Sequence, residues 1–194
     1  MAITNGYATL SQIKTYLSTT STNDDARLEQ SIEAASRAID AECRRVFYGA
    51  TATRYFEAEA PNYLDLRDDL LSITELAIDK GMRLYDAVDP STYELEPINQ
   101  PPYQRVYLSF SAQTPFPVNR RGIRINGLWG YNSTGSHPDE INNACLILAV
   151  RYFKRRDAAF GVLGTPELGF TRISARDPEI RALLNPFRRV TLDV

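Results

Sequence analysis

The side chains best equipped for chemistry in this chain are cations. Arg151, Lys154, Arg155 and Arg156 fall within the six positions RYFKRR, a density suited to gripping phosphates, to pairing with carboxylates across an interface, or to solvating one face of a helix. The single histidine, His137, precedes a proline at a helix start, where a capping or surface role is ordinary and a catalytic one exceptional. Asp24-Asp25 and Asp68-Asp69 could offer oxygen ligands to a hard cation, but each pair stands in polar linker-like sequence where solvated charge is the commoner outcome. Cys43 and Cys145 lie far apart among apolar helical positions, so they read as small core residues rather than a disulfide or metal site. Asn132-Ser133-Thr134 matches a glycosylation acceptor by chance. No GxSxG, GxxxxGK[ST], HExxH or CxxC pattern is present. Gly127-Leu-Trp-Gly130 and Gly161-Val-Leu-Gly164 lack the dinucleotide fingerprint and read as turns. The expectation is a protein with no catalytic, cofactor or metal site, not an enzyme.

The distribution of charge says more than its total of −2. Residues 1–100 hold 9 Lys+Arg against 17 Asp+Glu, whereas residues 151–189 hold 9 against 4. Most of the cations are arginine, which pairs bidentately with carboxylates and phosphates and suits partly buried interfaces. Such polarity favours packing between copies as well as contact with an anionic polymer. Within the basic cluster, Arg151, Lys154 and Arg155 share an arc opposite the apolar stripe, and cations in a last turn also complement the helix dipole. Ion pairing with solvent-exposed or neighbouring-subunit acids therefore outweighs direct phosphate contact, since sequence-reading DNA binders carry a basic recognition element and a basic total. The competing reading is a small DNA-binding or regulatory module using the basic helix 151–156. A metal-dependent hydrolase would need Asp24, Asp68 or Asp139 to converge.

The elements that carry these residues follow from periodicity. Thr9 caps a short helix LSQIKTYL, and Asn23 or Asp24 caps a longer one from Ala26 to Phe47, with Leu28, Ile32, Ala35, Ile39, Cys43 and Val46 on one face and Glu33–Arg37 and Asp40–Arg44 pairs outside. From Gly49 to Tyr131, short aromatic and β-branched segments read as strands: TRYFEA, YLDL, LLSITELAI, MRLYD, TYELEP, QRVYLSF and GIRINGLW. In the sixth of these, Val106, Leu108 and Phe110 alternate with Arg105, Tyr107 and Ser109. At Ser136-His137-Pro138-Asp139-Glu140 a central helix begins, with proline at the start and acids facing the dipole. Its stripe is Ile141, Cys145, Leu148, Tyr152 and Ala159. A glycine-bearing loop over 161–176 leads to a last helix opened by Asp177-Pro178-Glu179 and stopped at Asn185-Pro186.

The expected fold is α+β, mainly a helical bundle of two N-terminal helices, a long central helix and a short C-terminal helix, with an inserted antiparallel β region. One domain over 1–194 is expected, with 50–131 as the β insertion and 185–194 as a C-terminal tail. No apolar run approaches the roughly 20 residues that cross a bilayer, and MAITNGYATL lacks the layout of a secretory signal. The chain is expected to stay in the compartment where it is made.

The ordered combination of LEQSIEAASRAIDAECRRVF, INGLWGY, HPDEINNACLILAVRYFKRRDAAFG and DPEIRALLNPFRR resembles the head-tail connector (head completion or adaptor) proteins of long-tailed double-stranded DNA bacteriophages. The resemblance spans most of the chain, and its most specific pieces are the ending LLNPFRR and the WGY, P-x-E-I and R-x-x-K-R-R series. It implies a non-enzymatic virion protein at the head-tail interface, made in the host bacterial cytoplasm. It further implies a ring, commonly dodecameric, that meets the portal protein on one side and a tail-proximal connector or tail-terminator protein on the other. Double-stranded DNA would pass through its lumen without sequence-specific binding, and no membrane or cofactor is involved. By resemblance Leu183, Leu184, Phe187, Arg188 and Arg189 are the portal-contact candidates, while Arg151, Lys154, Arg155 and Arg156 are candidates for the subunit interface or lumen. The long β region departs from the smallest members, which are nearly all helix. Glycines in loop 161–176 suggest a segment that orders on docking.

Overall fold

A computed structural model of the chain describes residues 3–112, 114–132, 137–155, 162–163, 171–172 and 178–189. Two compact units divide it, one formed by 1–44 with 137–194 and the other by 45–136.

The second unit is an antiparallel sheet of six strands: β1 (Ala50–Phe56), β2 (Tyr63–Asp79), β3 (Tyr85–Ala87), β4 (Tyr93–Glu96), β5 (Tyr103–Leu108) and β6 (Ile123–Trp129). The order is β1-β6-β2-β5-β4, with β3 paired to β2. β2 runs for 17 residues and changes neighbours along its length. Its first part pairs with β5, Leu64 opposite Val106 and Asp65 opposite Arg105. Its second part pairs with β6 from Leu70 opposite Trp129 to Ile78 opposite Ile123, with register shifts at Leu70/Ser72 and Ile73/Glu75. Each shift inserts unpaired backbone and adds local bend and twist; at Leu70 the strand is paired on both edges, with Tyr103 of β5 and Trp129 of β6. β6 alternates buried and half-buried residues without a break, the period of a strand with one face on a core. That core gathers Leu64, Leu66, Leu70, Leu76, Val106, Phe116, Ile123, Ile125 and Trp129.

This sheet overturns the expectation of a mainly helical bundle carrying an inserted β region: the principal layer is six-stranded and antiparallel, accompanied by four helices. YLDL and LLSITELAI are two ends of one strand, because Asp68 and Asp69, which read as linker acids, lie inside β2. Asp69 is buried, 3.7 Å from the Arg45 guanidinium, and Arg45 also lies 5.4 Å over the Tyr131 ring. Asp68 pairs with Arg54 at the surface. Gly127 lies within β6 rather than in a turn: a Cβ there would sit 2.3 Å from the Ser72 carbonyl oxygen, at the place where β2 shifts register. Gly130 does end the strand, at φ +135°. Phe110 is beyond the end of β5 and fully exposed.

The first unit contains α1 (Leu10–Tyr16), α2 (Asp25–Cys43), α3 (Asp139–Lys154) and α4 (Pro178–Leu184), with β7 (Val162–Leu163) paired to β8 (Thr171–Arg172). Thr9 and Gln12 form a reciprocal capping box at α1. α2 packs on α3 through Leu28, Ile32, Ala35, Ile39 and Cys43 against Ile141, Ala144, Cys145 and Ala149, all buried. It stops at Cys43, short of Phe47, because Arg44 adopts a left-handed conformation that closes the helix, leaving Val46 40% exposed. Arg37 pairs with Asp40, three residues on, while Glu33 accepts the Thr4 backbone N–H.

The segment before α1 is bound to both long helices through Tyr7, which is 1% exposed. Its backbone N–H donates to Ser36 Oγ at 3.0 Å, its carbonyl accepts from Asn142 Nδ2 at 2.7 Å, and its hydroxyl donates to Asp40. His137 packs edge-on against the same ring at 4.6 Å, so this histidine serves packing in the helical unit.

Two substitutions test the sheet. Gly127→Ala forces a methyl against backbone that cannot swing away and is expected to cost about 1–3 kcal/mol, read as a lower urea midpoint. Arg45→Met strips the cation from a carboxylate with 2% side-chain exposure and should cost about 3–5 kcal/mol, with Arg45→Met/Asp69→Leu recovering most of it.

Candidate interaction surfaces

The basic cluster sits at the C-terminal end of α3. Arg151 is half-buried, Lys154 and Arg155 are exposed, and the Arg155 guanidinium lies 5.5 Å over the Tyr152 ring. Arg156 and Ala159 lie outside the described residues, as does most of the 161–176 loop. Beside the cluster, a cavity of about 250 Å³ between α2 and α3 is lined by Arg27, Gln30, Ser31, Ala34, Tyr152 and Phe153. Tyr152 and Phe153, which interleave the cations in the sequence, thus line a cavity together with Arg27.

The C-terminal candidates are held on the helical unit. Leu184 is buried at 2% exposure, whereas Leu183 and Phe187 are half-buried. A 3-10 turn, Asn185–Phe187, continues directly from α4. Beyond it the Arg189 backbone N–H donates to the Cys43 carbonyl at 2.9 Å, and the exposed Arg188 guanidinium is 3.7 Å from Glu42. The structure thus places Arg188 and Arg189 beside the C-terminal end of α2, where the Leu184 carbonyl also lies 4.0 Å from Cys43 Sγ, with Leu183 on α4 and Phe187 in the turn that follows it.

Asp24 faces Arg27 at 3.6 Å, Asp68 faces Arg54, and Asp139 opens α3. Among the described residues no group of three or more His, Cys, Asp or Glu side chains could hold a metal ion. Nor is any helix among them long and apolar enough to cross a membrane. Burial pushes the Cys145 thiol up from 9.0 to about 11, partly opposed by its contact with Ser36 Oγ at 3.5 Å, so it is a packed and protonated group rather than a nucleophile. The Asp65 carboxylate beside Arg105 raises that guanidinium further above its ordinary value.

Sequence reasoning missed the outer face of the sheet. There Arg121 lies 4.2 Å over the Tyr55 ring, Tyr55 and Tyr85 are 5.8 Å apart, and Arg124 lies 4.9 Å over Tyr85 while donating to Glu75 at 3.0 Å. Each cation–aromatic contact of this kind is worth roughly 0.5–1 kcal/mol when exposed. The alternation of Arg124, Asn126 and Leu128 with buried residues is the one signal in the sequence that could have found this face.

No protein-family model matches the sequence, and no curated protein does. Solved structures do match in fold. One is a chain from the neck of a native gene transfer agent (GTA) particle computed with C12 symmetry, with a TM-score of 0.65, 17% identity, and coverage of 99% of this chain and 94% of that one. Another is from the neck of an empty GTA particle computed with C6 symmetry, with a TM-score of 0.62, 16% identity and the same coverages. Both belong to phage-like necks, in keeping with the head-tail connector resemblance of the ordered motifs.

Because the folded chain holds the Cys145 proton more tightly than the unfolded chain, this group's contribution is complete below about pH 9 and is lost as the pH rises towards 11. Urea midpoints measured across that window should fall less in Cys145→Ala than in the parent. At pH 8 an aromatic disulfide reagent should release no thiol from the native protein and two once it is unfolded, as Cys43 is buried too.

Proposed function

We propose that this chain is a structural protein of a phage-like neck: a head-tail connector that forms a ring between portal and tail, through which double-stranded DNA passes unread. The observation that carries this reading is the extent of the fold likeness, which covers 99% of this chain and 94% of each neck chain, sheet and helices included. The C12 and C6 symmetries of those particles support a ring of copies, dodecameric when assembled. A ring requires one patch to meet a different patch on the next copy, and the acidic first half and basic end of the sequence favour such pairing.

The portal lies on one side of the ring and a tail-proximal connector or tail terminator on the other. Leu183, Phe187, Arg188 and Arg189 face the portal, and Leu184, from within the core, fixes their position. Arg151, Lys154 and Arg155 face a neighbouring copy or the lumen, and Arg156 belongs with them by sequence. A lumen with few tight cationic clamps suits DNA that must slide, because phosphate binding that releases many counterions would hold it in place. The chain acts through its surfaces and makes or breaks no covalent bond. It resides in the virion after synthesis in the host bacterial cytoplasm.

Negative-stain imaging and native mass spectrometry of the chain mixed with its portal should reveal closed rings. A chain that stays monomeric at every concentration with portal present overturns the reading. Reversing Arg151, Lys154 and Arg155 to Glu should reduce ring yield on the order of tenfold. An intact oligomer that instead loses a salt-sensitive duplex-DNA shift would identify a DNA-binding module.

A further inference from the structure

The turn between β2 and β3 exposes apolar side chains for which the sheet has no use. Met82 is 95% exposed and Leu84 69% exposed. Met82 and Arg83 have φ of 55° and 65°, following Gly81 at 117°. The turn is closed by Leu84 N–H to the Gly81 carbonyl at 3.1 Å and Lys80 N–H to the Leu84 carbonyl at 2.9 Å. A two-residue hairpin with both central residues left-handed is most easily made by Asn-Gly, whereas Met and Arg adopt that backbone against steric resistance. The turn is also braced from the side. Arg83 donates to the Arg120 and Arg121 carbonyls at 3.2 and 3.4 Å, and the Tyr85 hydroxyl donates to the Arg121 carbonyl at 2.7 Å. The result is a braced apolar tip carrying Arg83, with Lys80 beside it paired to Asp86 at 3.2 Å and Asp79 accepting the Gly81 N–H at 2.9 Å.

The same unit carries a complementary surface. An open groove of about 710 Å³ lies between the end of β1, the connection that follows it and the start of β2. Tyr55, Phe56 and Val118 supply its accessible apolar lining, Glu57, Glu59, Asp65 and Asp68 its acids, and Arg67 one cation. Asp65 and Asp68 are engaged by Arg105 and Arg54. The exposed Glu57 and Glu59 carry the charge that remains for a partner.

We propose that the Met82–Leu84 tip of one copy seats in the Glu57/Glu59 groove of a second copy, with Met82 and Leu84 against the apolar lining and Arg83 facing the two glutamates. This deepens the ring reading and rests on it. An apolar centre within a charged rim matches the anatomy of specific interfaces, and the join of unlike patches is the kind that repeats around a ring.

The test mixes full-length Met82→Cys with full-length Glu59→Cys under mild oxidation; the native cysteines are buried and do not compete. A disulfide joining the two variants through their introduced thiols is expected, together with at least a tenfold loss of it when Arg83→Glu is added to the first variant and recovery when Glu57→Arg is added to the second. Absence of the bond, or a bond only between two Met82→Cys copies, overturns the proposal. Native mass spectrometry of the parent with portal separates the two readings: rings without the cross-link remove the tip-to-groove contact alone, and a cross-link without rings removes the ring alone. No cross-link, together with a duplex-DNA shift that Arg83→Glu abolishes, would assign the tip to nucleic acid and overturn the contact between copies.

Discussion

One strand has to satisfy three neighbours, and the sheet unit is arranged around that obligation. β2 gives its first residues to β5, its later ones to β6 and its last three to β3. β6 runs along one of its edges while β5 and then β3 take the other, so one long strand holds all three, and the register shifts mark where its ladders adjust. Two otherwise odd residues lie along this strand and its β6 neighbour. Gly127 is required where the Ser72 carbonyl comes too close for any side chain, and Asp69 is carried inside, where Arg45 meets it.

The helical unit depends on a smaller device. Where α2 packs on α3, Ser36 and Cys145 are in contact. Ser36 uses its hydroxyl twice, donating to the Ile32 carbonyl and accepting from the Tyr7 backbone. Tyr7 thereby joins the leading segment to α2, and Asn142 joins it to α3. Buried polar groups are tolerated when each finds a partner, and a satisfied network of this kind specifies one packing among several of similar apolar content.

Much of this was legible in local pattern. The capping box at Thr9 and Gln12, the stripe of α2, the acids at the start of α3 and the alternation of β6 depend on neighbours within one or two turns, so the sequence reveals them. What escaped depends on distant partners. Two adjacent aspartates look like a linker until Arg45 is brought beside one and Arg54 beside the other. The helix that ran to Phe47 by periodicity stops where Arg44 turns left-handed, a choice no apolar pattern records. Among the candidate surface residues, Leu184 looked like its neighbour Leu183, and only the packing of α4 separates the buried one from the half-buried one. By pattern Met82 opens the strand segment MRLYD, whereas the strand begins at Tyr85 and Met82 and Arg83 form the turn before it, a left-handed backbone that side-chain type does not announce.

The ends of the sheet unit emerge side by side. β1 begins at Ala50 opposite Trp129, where β6 finishes, and the Tyr131 N–H reaches back to the Val46 carbonyl at 2.8 Å. Tension applied through these two ends would pull on the ladder like a zipper, loading one pair of hydrogen bonds at a time instead of shearing all of them together. Resistance to such a pull therefore falls to the fastening at its mouth, where Arg45 bridges Asp69 and the Tyr131 ring and Phe47 packs at 5.3 Å. Under such a load that small clasp would decide whether the sheet stays shut.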